Sequence, residues 1–337
     1  MLLTLSFILL SSATLCGQNE PRTDLRPEME LLFQNPDGGW PKNVEWDSFK
    51  TLQDAKNARD QNKRRKSTID NSATYRQIRS LAESYTATEN RRYRQAADRG
   101  LEYLYREQRR SGGWRGSDVD AITYNDDAMT GVMRLLRDVS KGRAPFAWTG
   151  KQTRRKAGRA LERAIRVTLD CQIKVRGRRT VWCQQHDHRT LKPVKARTYE
   201  LPSLSGAESV DIVRFLMEIE SPSGEVIQAI ESAVEWFRQS AISGIRIDSF
   251  PIDPVKEDSK IISKDIRVIR DTDAEPIWAR FYEIGTNRPF FCNRDGVKVY
   301  SLAEVKLERR TGYSWYGSYA RSLLAKDFPR WQKRLNR

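Results

Sequence analysis

MELLFQNPDGGW at residues 29–40 has two counterparts further along the chain, LEYLYREQRRSGGW at 101–114 and LDCQIKVRGRRTVW at 169–182. Each reads as the end of a helix, then a glycine-rich or basic turn, then a tryptophan, and the three tryptophans are 74 and 68 residues apart. A period of about 70 residues has room for two antiparallel helices and long loops. Such hairpins, arranged around an axis, form an α/α barrel, or toroid, with a cleft at one end. The repeat therefore predicts a mainly α-helical protein of this architecture.

The tryptophans themselves have two interpretations. Each turn can end a helix while its tryptophan only packs against the turn. A tryptophan can also offer its flat face to a sugar ring. Both interpretations stay open, and we take Trp40 as a candidate substrate-binding residue.

Apolar residues at helical spacing extend the helical prediction to four more segments. They are Ile78, Leu81 and Tyr85; Ala128, Val132, Leu135 and Val139; Val210, Val213 and Met217; and Ile227, Ile230, Val234 and Phe237. Strand signals are confined to short clusters of β-branched and aromatic residues at 242–247 and 297–300. We expect helical hairpins with long loops and a few short strands.

The N-terminal residues have the features of an export signal. MLLTLSFILLSSATL at 1–15 is apolar, ends in small residues and is short for a bilayer span. We interpret 1–18 as a signal peptide cleaved near Ala13 to Gly17, and expect a secreted or periplasmic protein without stable membrane insertion. The polar residues 19–27 read as a linker, and 28–337 as a single catalytic domain, because no later Ser-, Gly- or Pro-rich stretch separates a second one.

Cysteine and histidine usage argues against a zinc site. One of the four cysteines lies in the predicted signal peptide, and of the others Cys171 and Cys183 are the pair we expect to form a disulfide. The chain has no CxxC pair, and its only histidines, His186 and His188, lie two residues apart. We expect both histidines at the surface or in supporting roles.

The chain is strongly basic, with 60 Lys and Arg against 44 Asp and Glu and a formal net charge of +16. Such a charge attracts nucleic acid, anionic lipid or an acidic polysaccharide. The arginines are dispersed and form no recognised nucleic-acid module, so we expect no nucleic-acid partner. We expect a monomer.

Acidic residues stand directly before two predicted helices. Asp70 lies in TIDNSAT at 68–74, and Asp126 and Asp127 lie in ITYNDDAM at 122–129. An aspartate at such a position commonly only caps its helix. Carboxylates from two loops can also form a Ca²⁺ site, or serve as acid and nucleophile in a glycosidase. The spacing alone leaves these alternatives open.

Basic residues follow in the second half of the chain. KARTYELPSLSG at 195–206 is a basic loop before a helix, and Arg280 and Arg294 add guanidinium groups downstream. Guanidinium groups bind carboxylates through two parallel hydrogen bonds. The basic residues therefore point toward an acidic sugar.

Five segments together resemble the family 10 pectate lyases. They are GGWPKN at 38–43, TIDNSAT at 68–74, ITYNDDAM at 122–129, KARTYELPSLSG at 195–206 and WARFYEIGTNRPFFCNRDG at 278–296. The resemblance covers nearly all of the chain after the linker, with the motifs in the order that such lyases show. It implies an α/α barrel or toroid and endo-acting cleavage of polygalacturonate by Ca²⁺-assisted β-elimination.

The resemblance also implies roles for basic residues. Arg197 matches the arginine proposed as the base, and Arg280 and Arg294 match arginines that bind substrate carboxylates. We add Lys195 as a further substrate-binding residue. Because arginine is normally protonated, we predict an alkaline optimum, and we expect the cations around Arg197 to lower its pKa.

Asp70 and an aspartate of the NDD motif match acidic residues linked to metal and substrate. We assign Asp70 to both roles and Asp126 and Asp127 to Ca²⁺, with Asp126 favoured. The chain departs from the family pattern after its second Gly-Gly-Trp, where residues 115–117 replace the usual Pro-Gln. Residues 251–275 look like an added loop that narrows the cleft or alters chain-length preference.

Three other functions compete with this one. A glycoside hydrolase on the same scaffold would use Asp70 and Asp126 as acid and base. A noncatalytic module would bind polyanions through the same arginines. A lyase with another polyuronate substrate would keep the chemistry and change the specificity.

Overall fold

The structure, a computed structural model, describes residues 25–61, 65–257 and 259–335. The predicted signal peptide and most of the predicted linker lie outside these residues, and the first helix begins at Arg26. The described α-helices are α1 (Arg26–Phe33), α2 (Leu52–Gln61), α3 (Tyr75–Thr88), α4 (Arg91–Glu107), α5 (Ala128–Lys141), α6 (Lys151–Cys171), α7 (Glu208–Met217), α8 (Gly224–Gln239), α9 (Leu307–Thr311) and α10 (Phe328–Leu335).

Consecutive helices form hairpins, as the repeat predicts. The extensive pairs are α3 with α4 and α5 with α6, and α7 packs on α8 in the same way. Within the barrel α1, α3, α5 and α7 contact one another in that order, so they form an inner layer. The expected α/α toroid is confirmed.

The apolar residues at helical spacing explain this packing. The four predicted sets lie on α3, α5, α7 and α8, and most of their side chains are buried in one continuous hydrophobic core. In α5 the buried face includes Val132, Leu135 and Val139, which lie on one side of the helix. The periodicity prediction is confirmed.

The repeated tryptophans are structural. Trp40, Trp114 and Trp182 are buried, and each indole N–H donates to a backbone carbonyl in the preceding helix at 2.6–2.7 Å. The packing interpretation is therefore correct for all three. Trp40 has an exposed fraction of 0% and offers no face to a sugar ring, so its assignment as a substrate-binding residue was wrong.

A glutamine accompanies each of the three tryptophans. Gln34, Gln108 and Gln172 follow the last residues of α1, α4 and α6. Each side-chain amide donates to one carbonyl in its own turn and one in a neighbouring outer helix. The carbonyl pairs are those of Gly38 and Ala96, Gly112 and Ala160, and Thr180 and Ala229. These bonds satisfy backbone groups that the helix ends leave unpaired.

The described strands form two-stranded antiparallel pairs: β1 (Ala121–Thr123) with β4 (Gln185–Asp187), β2 (Lys174–Val175) with β3 (Arg178–Arg179), β5 (Leu204–Ser205) with β9 (Phe281–Tyr282), β6 (Ile245–Glu257) with β7 (Lys260–Arg270), β8 (Trp278–Ala279) with β12 (Tyr316–Gly317), and β10 (Phe291–Cys292) with β11 (Lys298–Val299). The prediction of a few short strands holds for all of them except β6 and β7.

The β6–β7 ribbon corrects the expectation of an added loop at 251–275. The extra residues form a long hairpin that begins at Ile245 and has one irregularity between Pro251 and Val255.

The ribbon also separates a fourth member of the tryptophan repeat from the helix that precedes it. Trp278 follows the ribbon, and its indole N–H donates to the carbonyl of Phe237 in α8 at 2.8 Å.

The expectation of a disulfide was wrong. Cys171 and Cys183 are buried free thiols rather than a disulfide, and Cys292 is also free. His186 is fully buried rather than at the surface, and of the two expected roles it has the supporting one, since its ring is held by the Cys183 amide and the Leu191 carbonyl. Among the described helices, none has the length and apolar character needed to cross a membrane.

Candidate active site

The inner helices present acidic residues at one end of the barrel. A helical turn at Asp70–Ser72 precedes α3, and another at Asn125–Asp127 precedes α5. The two turns lie against each other, and the second also contacts α7, which begins at Glu208. Carboxylates before helix N-termini are stabilised by the helix dipole. The repeated hairpin therefore places acidic residues at three neighbouring helix starts.

A small polar cavity of about 170 Å³ opens between these turns and the loop that follows β4. Asp70, Asp126 and Arg197 all line it, although they lie far apart in the sequence. Lys42 and Asp118 line it as well, and the sequence analysis missed both. The structure thus brings three of the predicted site residues into one cavity.

The carboxylate of Asp70 is fixed by the loop that departs from the family pattern. The Ser117 backbone N–H donates to Oδ2 at 2.6 Å, and the Ser117 hydroxyl donates to the same oxygen. Lys42 Nζ lies 3.6 Å from Oδ2 and 3.3 Å from Asp118 Oδ1. The helix α3 has no side-chain cap and begins only at Tyr75, so the capping interpretation of Asp70 is not the observed one.

The two aspartates of the NDD motif face different surroundings. Asp126 lines the cavity, where burial raises its pKa while Arg280 and Arg197 oppose that effect. Asp127 is not among the residues around the cavity. Burial and the nearby carboxylate of Asp211 raise the pKa of Asp127 to about 6. Asp126, the favoured of the two, is the one that lies beside Asp70.

Arg197 is held by an adjacent carboxylate. Its guanidinium donates to the buried Glu200, whose carboxylate also accepts the Tyr313 hydroxyl at 3.0 Å. The hydrogen bond that Arg197 donates to Glu200 raises the pKa of Arg197, with burial acting in the opposite direction. Among the protein groups alone the pKa of Arg197 is therefore raised, opposite to the effect expected from Lys195, Arg280 and Arg294.

Arg280 is tied to the acidic helix starts. It donates to Glu208 and, at 3.1 Å, to Asn125 Oδ1, and Asn125 in turn donates to Asp126 at 2.7 Å. Its guanidinium lies 4.7 Å from the ring centroid of Tyr313. Arg280 thus lies beside the cavity through contacts with the Asn125–Asp127 turn and with the start of α7.

Arg294 lies further from the cavity and pairs with Glu308 through two hydrogen bonds of 2.8 and 3.0 Å. It shares the ring of Tyr199 with Arg197, at 5.7 and 5.1 Å from the centroid respectively. Lys195 is exposed, two residues before Arg197, and is not among the residues that line the cavity.

Arg309 also lies near the cavity arginines, although the sequence did not point to it. This buried arginine lies 4.5 Å from the ring centroid of Tyr199 and 5.4 Å from that of Tyr313. We call Arg197, Arg280, Arg294 and Arg309, together with the two tyrosines, the arginine–tyrosine cluster. In the described part of the chain, the buried Nε–H groups of Arg197, Arg280 and Arg309 have no acceptor. Since an unpaired buried donor is costly, the cluster is suited to receive an anionic ligand.

The donor set at the cavity is one of hard oxygen ligands. The carboxylates of Asp70 and Asp126 and the side-chain amides of Asn125 and Gln185 face it. Oxygen ligands of this kind suit Ca²⁺, which takes six to eight of them. No three His, Cys, Asp or Glu side chains in the described ranges converge closely enough to hold a metal ion on their own. A cation here would need further oxygens, such as those of a bound ligand.

The family model described as pectic acid lyase matches residues 34–324. The chain belongs to the pectic acid lyases, polysaccharide lyase family 10. It is therefore a lyase of the pectate lyase type, as the sequence predicted, rather than a hydrolase or a noncatalytic module.

Solved structures agree with this membership. The family 10 polysaccharide lyase from Cellvibrio cellulosa is 31% identical to this chain, covers 92% of each chain and has a TM-score of 0.75. An aspartate-to-alanine mutant of the Cellvibrio cellulosa enzyme, in complex with trigalacturonic acid, is 31% identical over 90% of this chain and 91% of that one, with a TM-score of 0.75. No curated protein matches the chain.

Proposed function

We propose that the enzyme cleaves polygalacturonate by Ca²⁺-assisted β-elimination, with Arg197 as the base. One observation carries the proposal: Arg197, Asp70 and Asp126 line a single cavity. The trigalacturonic acid bound to the mutant Cellvibrio cellulosa enzyme supports the choice of substrate. The net charge of +16 would favour the approach of a polyanionic chain.

In this reaction the C5–H and C4–O bonds of a galacturonate residue break and a C4–C5 double bond forms. Arg197, in its neutral form, takes the C5 proton, and the released C4 oxygen takes a proton from water. Negative charge develops toward the uronate carboxylate, so cations placed there lower the barrier. Arg280 supplies such a charge beside the cavity, and Arg294 holds a neighbouring residue of the chain.

Neutral arginine is scarce near neutral pH, and Glu200 makes it scarcer because it raises the pKa of Arg197. The rate should therefore rise with pH into the alkaline range. Full activity at clearly acidic pH would argue against Arg197 as the base.

Asp70 and Asp126 would hold the Ca²⁺ ion, with the substrate carboxylate as a further ligand. When bound, Ca²⁺ neutralises the uronate carboxylate and makes the adjacent C5 proton more acidic. Asp126→Asn and Asp127→Asn provide a matched test, because the two residues are adjacent and only Asp126 lines the cavity. In a Ca²⁺ titration of activity, the proposal expects Asp126→Asn to raise the Ca²⁺ requirement steeply and Asp127→Asn to leave it nearly unchanged. Equal effects, or activity that persists in EDTA, would contradict the proposal.

We also propose that the enzyme is exported and acts as a secreted or periplasmic monomer. The apolar residues 1–15 support export. Sequencing the N-terminus of protein recovered from the culture medium or periplasm would test it. A protein retained in the cytoplasm with its first residues intact would contradict the proposal.

A further inference from the structure

The outer helix α6 carries a large share of the positive charge of the chain. Its 21 residues include seven Lys or Arg and two acidic residues, Glu162 and Asp170. The neighbouring outer helix α8 has the opposite balance, with three glutamates and one arginine. The basic charge is therefore concentrated on one part of the barrel wall rather than spread evenly over it.

Three of these cations form a row on the exposed side of α6. Lys151, Arg155 and Arg159 are exposed and four residues apart, so about 6 Å of helix axis separates each from the next. The other side of the helix, which includes Ala157 and Ala160, is buried in the hydrophobic core. We call Lys151, Arg155 and Arg159 the α6 row.

The remaining cations of α6 already have partners. Lys156 pairs with Glu102 at 2.6 Å, and Arg166 pairs with Asp170 and Glu225. The other two arginines donate to uncharged oxygens of adjacent segments. In the part of the chain that the structure describes, no side chain pairs with a member of the α6 row. The charges of the row are therefore available to an external ligand.

The row does not stabilise the helix that carries it. The first turn of α6 contains no acidic residue, and its N-cap, Gly150, has no side chain to cap the helix. Cations near a helix N-terminus are unfavourable, because they repel the positive end of the helix dipole. Glu162 is exposed further along α6, after the last member of the row. An anion bound along the row would remove this unfavourable repulsion.

A polyuronate is the polyanion that fits the row best. Its carboxylates recur along the chain, so one chain can pair with several cations of the row. Proteins that bind single-stranded nucleic acid combine basic grooves with aromatic side chains for base stacking, and α6 has no aromatic residue. Helices that lie on membranes insert their apolar face into the lipid, whereas the apolar face of α6 is buried in the core.

The row lies away from the cavity. Helix α5 begins beside the cavity and leads away from it, and α6 returns along α5, so Lys151 is at the end of the barrel opposite the cavity. None of the described residues that line the cavity belongs to α6. A polyuronate bound to the row is therefore a different chain, or a different part of the chain, from the one that enters the cavity.

We propose that the α6 row is a second, noncatalytic binding site for polyuronate, which holds the enzyme on its polymeric substrate. The inference rests on the proposed function, because the ligand is the substrate of that reaction. Binding at the row raises the concentration of polymer near the cavity. The row itself does not touch the reacting atoms.

A triple variant that combines Lys151→Gln, Arg155→Gln and Arg159→Gln tests the row. The matched control removes the same charges, one lysine and two arginines, from exposed positions on three separate elements. These positions are Lys56 of α2, Arg270 of β7 and Arg330 of α10. Affinity for polygalacturonate immobilised on beads is measured in EDTA, where no turnover is expected, and kcat/KM on trigalacturonate is measured with Ca²⁺.

The row variant should bind immobilised polygalacturonate about ten-fold more weakly than wild type, since each exposed ion pair contributes roughly a factor of two. The control variant should stay within about two-fold of wild type, because charges far from the polymer are screened by salt. On trigalacturonate, which is too short to reach from the cavity to the row, both variants should match wild type in kcat/KM.

Unchanged binding in the row variant, or no binding by wild type, would overturn the second site. Equal weakening in the control variant would overturn it as well, because the effect would then come from net charge. Row-dependent binding of duplex DNA or of phosphatidylglycerol vesicles that is tighter than binding of polygalacturonate at the same salt would assign the row to another partner. If wild type releases no unsaturated product, the proposed function fails separately, and the affinities in EDTA still decide whether the site exists.

Discussion

Replacing Glu200 by glutamine tests the identity of the base. Glu200 is buried and receives the Arg197 guanidinium and the Tyr313 hydroxyl. Glutamine has nearly the same shape and keeps an acceptor oxygen for both donors, but it removes the negative charge. The pKa of Arg197, which Glu200 raises, should fall in the variant.

The size of the effect follows from the contact. A hydrogen bond to a charged group contributes about 1.5–3 kcal/mol when it is well shielded. The Arg197 side chain is 38% exposed, so solvent screening reduces the contribution to about 1 kcal/mol. Since about 1.4 kcal/mol corresponds to one pH unit, the acid limb of the kcat/KM profile should move to lower pH by about 0.7 unit.

The assay is the pH dependence of kcat/KM on polygalacturonate at saturating Ca²⁺. Glu308→Gln is the matched control, because it makes the same change at the partner of Arg294. That variant should leave the position of the acid limb unchanged, whatever it does to KM.

Two results would refute the reasoning. An acid limb that stays in place in Glu200→Gln would mean that the titrating group is not Arg197. Identical displacements in Glu200→Gln and Glu308→Gln would assign the effect to the net charge of the cluster.

Further predictions concern stability and thiol chemistry. Burial lowers the pKa of His186 from 6.5 to about 4, so the unfolded chain binds a proton in this range that the folded protein does not. The free energy of unfolding should therefore fall by about 3 kcal/mol as the pH falls from 6.5 to 4, and denaturant titrations of wild type and His186→Gln should show a flatter dependence in the variant. Cys171 and Cys183 should resist alkylation in the native protein and react after denaturation without reductant, which mass spectrometry would show. If alkylation required a reductant, the two cysteines would not be free thiols. Gln108→Ala should lower the free energy of unfolding by about 2–4 kcal/mol, because two backbone carbonyls lose their donor. Replacing the exposed Gln239 by alanine should change it by less than about 0.5 kcal/mol. Equal losses in thermal or chemical unfolding would contradict the role of the repeated glutamine.

The sequence predicts the fold well because the signals for it are local. A helix end, a turn and a tryptophan lie within about a dozen residues. The spacing of apolar residues can likewise be recognised within a single helix. The role of Trp40 was not predictable in the same way, because burial depends on the outer helix that covers it. The fourth repeat at Trp278 was missed because the β6–β7 ribbon separates it from α8.

The site was predictable only in part. The motifs identify Asp70, Asp126 and Arg197, and the structure places them in one cavity. Their partners come from distant segments, as Ser117 does for Asp70, so motif spacing could not reveal them. The proton affinity of Arg197 was misjudged for the same reason, because the buried charge of Glu200 matters more than the number of nearby cations.

Under the proposed function, Arg197 acts as the base in β-elimination on polygalacturonate, and Asp70 and Asp126 hold the Ca²⁺ ion. The most direct test follows the ultraviolet absorbance of unsaturated uronates together with new reducing ends, for wild type and Arg197→Ala, with and without EDTA at alkaline pH. The account predicts that absorbance and reducing ends rise together in wild type, and that both are lost in the variant and in EDTA. New reducing ends without absorbance would mean hydrolysis, and a rise that survives in Arg197→Ala would remove Arg197 as the base.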